Sequence, residues 1–200
     1  EGETDQCVAV YRFTGVLDSR SVTAFDRFYR RVRDDDEIKA VVLRVNSPGG
    51  TVSASEQLHH LIEKLKATGR PVVVSMGGVA ASGGYMISCN ADEIFAEPST
   101  ITGSIGVIAN WYVVAGTLDK IGVEPVVVKS TDANYWKDGL SPLHKPDPRQ
   151  MAALRDTLNA MQEQFNTAVR EGRGDRLKPR DIIAPMPMPI TRAIPATPIR

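Results

Sequence analysis

The sequence contains little cysteine and little histidine, with two and three residues of each type among 200. Cys7 and Cys89 stand far apart and no histidines cluster beside them, which excludes a disulfide framework and a zinc site of clustered ligands. The chain also carries no net charge, because 24 Lys and Arg residues balance 24 Asp and Glu residues. A chain without net charge lacks the broad basic face typical of nucleic-acid binding, so no nucleic-acid partner is expected.

No uncharged stretch is apolar enough to be read as a membrane span. The longest two, Pro71–Ala91 and Pro98–Leu118, reach the length of about 20 residues that a span needs, but both contain Ser, Thr, Asn and Gly. That composition is typical of buried strands and turns. The sequence starts at Glu1 without an apolar leader, so any anchoring segment is expected outside these 200 residues.

The remaining composition is that of a folded domain followed by a short tail. Hydrophobic residues make up 42% and charged residues 24% of the chain. Residues 1–183 are predicted to form one domain. Residues 184–200 contain five prolines, which cannot donate backbone hydrogen bonds, so this segment is predicted to be an extended tail.

Apolar periodicity predicts alternating strands and helices. A capping-box spacing between Ser53 and Glu56 places the start of the second helix. Alternation with near-continuous apolar strands predicts an α/β fold, a parallel sheet with helices on both faces. The predicted strands are Cys7–Phe13, Ala40–Val45, Pro71–Met76, Glu93–Ala96, Ser104–Ile108 and Val123–Val128, and the predicted helices are Ser21–Arg33, Ser53–Gly69, Ser82–Asn90, Trp111–Ile121 and Arg149–Arg170.

Two glycine-containing turns are candidates for chemistry. The first is Asn46–Gly50, which follows a strand and exposes backbone N–H groups. The second is Val79–Tyr85, in which Ser82 follows a strand and begins a helix, where the helix N-terminus favours a developing oxyanion. The alternative is that both are ordinary turns, with Ser82 as a helix N-cap.

A nucleophilic serine needs a base, and two kinds remain open. His59 and His60 are expected on the solvated face of a helix, and His144 lies near Asp147 in a proline-rich segment. The other possibility is Lys137, kept neutral by burial next to Tyr135 and Trp136. Its alternative role is that of a surface lysine paired with Asp138.

Four motifs follow one another along the chain: Asn46–Gly50, Ala80–Tyr85, Thr102–Val107 and Lys137–Pro142. Together they resemble the signal peptide peptidase A family of serine–lysine proteases, which share the Clp-protease/crotonase fold. The resemblance runs from about Val8 to Arg180 and implies that Ser82 is the nucleophile and Lys137 the general base. It also implies an oxyanion hole formed by the backbone N–H groups of Gly50 and Gly83.

The same resemblance sets expectations about substrate, assembly and location. It implies hydrolysis of extended peptides, such as signal peptide remnants or membrane-associated peptides, without a metal or other cofactor. It implies a homo-oligomer with sites between subunits, at the extracytoplasmic side of a bacterial cell membrane. Beyond residue 181 the chain departs from the family pattern. An acyl-CoA enzyme of the crotonase type and an inactive scaffold of the same fold are the alternatives.

Overall fold

The computed structural model describes residues 6–130 and 137–176, so the predicted tail at 184–200 lies outside the described residues. The described part divides into two compact units, residues 6–106 with 164–176, and residues 107–163. The strands are β1 (Cys7–Thr14), β2 (Ile38–Ser47), β3 (Val72–Ala81), β4 (Glu93–Phe95) and β5 (Ile101–Gly103), and the helices are α1 (Ser19–Arg33), α2 (Val52–Lys66), α3 (Gly83–Cys89), α4 (Ala115–Lys120) and α5 (Pro148–Arg173).

The first unit is built on a parallel sheet, as predicted. The strand order is β1-β2-β3-β4, and β5 pairs with β3 beyond the end of β4. Every ladder is parallel, so the carboxyl ends of β1, β2 and β3 meet at one edge. Both glycine turns follow strands at this edge, which brings them together.

The core of this unit lies between the sheet and helices α1, α2 and α3. Alternate side chains of β2 and β3 are fully buried, including Leu43, Val45 and Val74. Leu58 and Ile62 of α2 pack against them, and Phe165 and Val169 of α5 complete the core. Burial of each such side chain contributes about 1.5–3 kcal/mol, which fixes the sheet edge that carries the turns.

The second unit has less regular structure than the sequence predicted. The helix predicted from Trp111 begins only at Ala115, after Val114 N–H donates to the carbonyl of Pro142. The strand predicted at Val123–Val128 is not formed, because no neighbouring strand among the described residues pairs with it. Val126 and Val128 are 85% and 91% exposed.

Two further sequence predictions were wrong for local reasons. A strand was predicted at Ser104–Ile108, but the strand is Ile101–Gly103. Gly103 and Ser104 both have positive φ values (81° and 51°), which ends the extended backbone there. The cap of α2 is Thr51 rather than Ser53, because the Thr51 hydroxyl accepts a hydrogen bond from Ala54 N–H.

Candidate active site

Ser82 occupies a strained turn between β3 and α3. Its φ of 52° and ψ of −125° lie in a region that residues with a side chain seldom adopt. Ser82 N–H donates to the Gly103 carbonyl at 2.9 Å, and the Ser82 carbonyl accepts from Tyr85 N–H at 2.8 Å. The backbone on both sides therefore holds the strained conformation in place.

The hydroxyl of Ser82 does not cap the helix that follows it. Ser82 stands at the N-cap position of α3, but its side chain makes no capping hydrogen bond. The interpretation of this serine as an ordinary N-cap is therefore wrong. A half-buried hydroxyl on a strained strand-to-helix turn is the arrangement that nucleophile elbows use.

The turn after β2 is fixed against the segment that follows β1. Leu17 N–H donates to the Gly49 carbonyl at 2.9 Å, and Thr51 N–H donates to the Leu17 carbonyl at 3.1 Å. Gly50 forms a parallel bridge with Leu17, and a Cβ on Gly50 would overlap the Leu17 carbonyl. These bonds use the Gly49 carbonyl and the Thr51 N–H. The N–H of Gly50 itself therefore points away from Leu17.

Gly83 is packed as closely as Gly50. A Cβ on Gly83 would overlap the hydroxyl of buried Ser55 on α2 and would lie 3.4 Å from the Cα of Gly49. A Cβ on Gly49, which has a φ of 99°, would lie 2.7 Å from the Gly83 nitrogen. The two glycine turns therefore touch, and neither accommodates a side chain.

Two backbone donors consequently lie in these touching turns, one of which contains Ser82. Gly83 is the first residue of α3, so its N–H has no partner within the helix. Among the described residues, neither Gly50 N–H nor Gly83 N–H donates to a backbone acceptor. A pair of fixed N–H groups next to a hydroxyl can stabilise the oxyanion of an acyl-transfer reaction.

A thiol on the same short helix is unsuited to this role. Cys89 is buried, and burial raises the pKa of its thiol to about 12. Its Sγ lies 3.1 Å from the Met86 carbonyl. A thiol that stays protonated is a poor nucleophile, so Ser82 is the better candidate in this unit.

Lys137 lies in the second unit, in a turn after the undescribed segment 131–136, which contains Tyr135 and Trp136. Lys137 is exposed in this chain. This exposure agrees with the alternative of a surface lysine, but the pairing with Asp138 is not formed, and the Asp138 carboxylate is bound by Lys129 and by His144 instead. Lys137 therefore makes no ion pair with Asp138.

His144 is engaged with Asp138 rather than with nearby Asp147. Its Nε2 lies 2.7 Å from an Asp138 carboxylate oxygen, and its Nδ1 lies 3.0 Å from the Lys145 carbonyl. Both ring nitrogens face acceptors, which favours the doubly protonated ring. The Lys145 carbonyl and the Asp138 carboxylate accordingly raise the pKa of His144. A protonated ring is a poor general base.

This arrangement predicts a pH-dependent contribution to stability. Because the pKa of His144 is raised in the folded chain, its contribution is complete below about pH 6.5 and is lost as pH rises through the folded pKa. We expect the thermal midpoint of the unsubstituted chain to fall more than that of His144→Ala between about pH 6 and pH 8.5. Asp138→Asn should also reduce the fall of the thermal midpoint between these two pH values. Parallel pH profiles for the chain and both variants would contradict this assignment.

The prediction for His59 was wrong, whereas His60 is exposed as predicted. His59 is buried, and its Nδ1 lies 3.0 Å from the Met86 carbonyl of α3. Its Nε2 lies 3.5 Å from a Glu63 carboxylate oxygen. Because His59 precedes buried Ile62 by three positions, it lies beside the apolar stripe of α2 rather than on the solvated face. His59 thus connects α2 to α3.

Neither a metal cluster nor a spanning helix is found in residues 6–130 and 137–176. No three His, Cys, Asp or Glu side chains in these ranges are grouped so as to hold a metal ion. In the same ranges, no helix is both long enough and apolar enough to cross a membrane.

Comparison with known proteins identifies relatives that are similar in sequence and a solved structure that is similar in fold. A Protease 4 from Haemophilus influenzae is 49% identical over 121 residues, which is 60% of this chain and 19% of that protein. A putative signal peptide peptidase SppA from Enterococcus faecium is 36% identical over 144 residues, 72% of this chain and 41% of that protein. A chloroplastic serine protease SPPA from Arabidopsis thaliana is 45% identical over 93 residues, which is 46% of this chain and 14% of that protein. The chain thus spans less than half the length of each.

The fold is similar to that of a solved Clp protease subunit. A ClpP1 mutant from Listeria monocytogenes superposes with a TM-score of 0.50 at 16% identity, covering 86% of this chain and 74% of that one. This similarity confirms the predicted Clp-like α/β fold. Residues 64–184, more than half of the chain, match the family described as peptidase family S49. The chain therefore belongs to peptidase family S49.

Proposed function

We propose that this chain is a serine endopeptidase in which Ser82 is the nucleophile, Lys137 is the general base and the N–H groups of Gly50 and Gly83 form the oxyanion hole. The observation that carries the proposal is the strained Ser82 turn, held against two uncommitted backbone donors. Membership of a peptidase family and the names of the relatives support peptide hydrolysis as the reaction.

The proposed reaction proceeds through an acyl-enzyme. Neutral Lys137 takes the proton from the Ser82 hydroxyl as Oγ bonds to the peptide carbonyl carbon. Gly50 and Gly83 donate to the resulting oxyanion, and each donor contributes about 3–4 kcal/mol in a serine protease. The carbon–nitrogen bond then breaks and the leaving amine takes the proton from Lys137. Water hydrolyses the ester, and the acid and free Ser82 are released.

We further propose that Ser82 and Lys137 of one site come from neighbouring copies. The second unit exposes many large apolar side chains, which is unusual for a surface that faces water. Burial of this surface against another copy would also remove water from around Lys137 and favour its neutral form. The exposed side chains of this unit include Ile108 (84%), Tyr112 (88%), Val126 (85%) and Val128 (91%).

The proposed substrates are extended peptides, including signal peptide remnants and membrane-associated peptides. The name of the Enterococcus faecium relative supports this substrate class. For the whole protein we propose association with a bacterial cell membrane, with this part on the extracytoplasmic side.

Substrate turnover separates this proposal from a crotonase-type acyl-CoA enzyme, which shares the paired N–H groups but needs no nucleophilic serine. The full chain should be incubated in parallel with a quenched fluorescent extended peptide and with an acyl-CoA thioester. We expect hydrolysis of the peptide and no turnover of the thioester. Thioester turnover with an intact peptide would contradict the proposal, and an inactive scaffold would turn over neither.

A mixing experiment tests the shared site. Ser82→Ala and Lys137→Ala chains should each be inactive, but a mixture that exchanges subunits should regain part of the peptide hydrolysis. Recovery is expected because some interfaces then contain one intact serine and one intact lysine. A mixture that stays inactive after labelled chains are shown to exchange would place both residues in one chain.

A further inference from the structure

β3 carries two more residues than β2 at the point where the strands approach the candidate site. Val45 pairs with Met76 and Ser47 pairs with Ala80, so one residue of β2 faces three residues of β3. The extra residues form a bulge at Gly77–Val79. Before the bulge β3 pairs with β4, and from Val79, the last residue of the bulge, β3 pairs with β5. Bulges often lie next to active sites, where they redirect a side chain.

The bulge determines the position of Ser82 relative to the oxyanion donors. Ser82 follows directly after the part of β3 that pairs with β5. If β3 ran without the two extra residues, everything after Val79 would move along the strand by about 6–7 Å relative to β2. Gly83 would then no longer lie against Gly49, the neighbour of Gly50.

Asn46 holds the bulge from the β2 side. Its Oδ1 accepts a hydrogen bond from Val79 N–H at 3.2 Å. A Cβ on Gly77 would lie 2.7 Å from the same oxygen, so the Asn46 side chain occupies the space over the bulge that Gly77 leaves open. The backbone carbonyl of Asn46 accepts a hydrogen bond from Gly15 N–H at 3.0 Å, which fixes Asn46 to the segment after β1.

Thr100 holds the bulge from the opposite side. Its buried hydroxyl donates to the Gly77 carbonyl at 2.8 Å and accepts from Glu97 N–H at 3.2 Å. Thr102, also buried, donates to the Ala80 carbonyl at 2.8 Å just beyond the bulge. Backbone groups that a bulge removes from the ladder are thus satisfied by side chains.

We propose that Asn46 and Thr100 are positioning residues for Ser82, which hold the Gly77–Val79 bulge so that the hydroxyl meets the N–H groups of Gly50 and Gly83. This inference rests on the proposed function, because it assigns a purpose to the Ser82 site. Neither residue contacts the substrate. Each acts through the register of β3.

The test measures phosphonylation of Ser82 by a fluorophosphonate probe in the full chain. Two quantities are recorded separately, the fraction of chains labelled at completion and the rate constant per labelled chain. Asn46→Ala and Thr100→Val remove the hydrogen-bonding oxygens, and both should lower the rate constant about 10–100-fold, since a displacement near 1 Å has that effect. The labelled fraction should stay complete in both.

Conservative variants provide the matched controls. Asn46→Asp and Thr100→Ser keep an oxygen in place, so their rate constants should stay within about threefold of the unsubstituted value. A merely structural role would instead lower the thermal midpoint or the labelled fraction and leave the rate constant per labelled chain unchanged. That result, or equal rates in all four variants, would overturn the inference.

Two further results keep the inference separate from the proposed function. If the unsubstituted chain is not labelled, or if labelling survives Ser82→Ala, the proposed function fails and this inference fails with it. If Asn46→Ala and Thr100→Val do not fold, Gly77→Ala replaces them, since its new methyl group would press on the Asn46 side chain rather than on backbone. Its rate constant should fall while its labelled fraction stays complete, and an unchanged rate constant would overturn the inference.

Discussion

Replacing Lys137 with alanine is expected to lower peptide hydrolysis about 10²–10⁴-fold, which is the usual contribution of a general base. Lys137→Arg should be equally impaired, because a guanidinium keeps its proton and cannot accept the one from Ser82. Initial rates of peptide cleavage by the unsubstituted chain and by both variants provide the measurement.

Two control variants separate the base from its surroundings. Lys145→Ala removes an exposed lysine from the same unit and should leave hydrolysis close to the unsubstituted rate. His144→Ala should also remain nearly fully active, because its ring is engaged with Asp138 and Lys145. A folded His144→Ala chain without activity, beside an active Lys137→Ala chain, would assign the base to histidine.

Replacing Gly50 or Gly83 with alanine is expected to lower peptide hydrolysis about 10²–10³-fold, as the loss of one oxyanion donor does. A methyl group on Gly50 would overlap the Leu17 carbonyl, and one on Gly83 would overlap the Ser55 hydroxyl. Either substitution moves an N–H group away from the oxyanion. The turnover number for an extended peptide should fall more than the Michaelis constant changes.

The surroundings of the two glycines supply a discriminating control. Ser55→Gly should restore part of the activity of Gly83→Ala, because it removes the side chain that the new methyl group meets. It should not restore Gly50→Ala, whose conflict is with the backbone of Leu17. Gly116→Ala, which meets nothing within 4 Å, should be tolerated. Equal rescue of both glycine variants would show that their packing had been misassigned.

The parallel sheet and the placement of both glycine turns could be predicted from the sequence. Apolar runs such as Ala40–Val45 ended at glycine turns, and parallel strands bring such turns to one edge. Relations that depend on tertiary pairing could not be predicted. β3 was expected to end at Met76 but continues through the glycine pair to Ala81, because Asn46 and Thr100 satisfy the bulge.

The second unit shows the same limit more strongly. An apolar β-branched run such as Val123–Val128 has strand propensity, but a strand also needs a partner for its backbone groups. Val123 N–H instead donates to the Leu118 carbonyl at the end of α4. The engagement of Asp138 with Lys129 and His144 likewise depends on how the loop folds, which residue spacing does not encode.

The identity of the nucleophile is tested most directly by mass spectrometry of the fluorophosphonate-treated full chain, with the adduct located by peptide mapping. We predict one adduct per chain, on the peptide that contains Ser82, and none in the Ser82→Ala variant. An adduct on another residue, or labelling that persists in Ser82→Ala, would contradict the assignment of Ser82 as the catalytic serine.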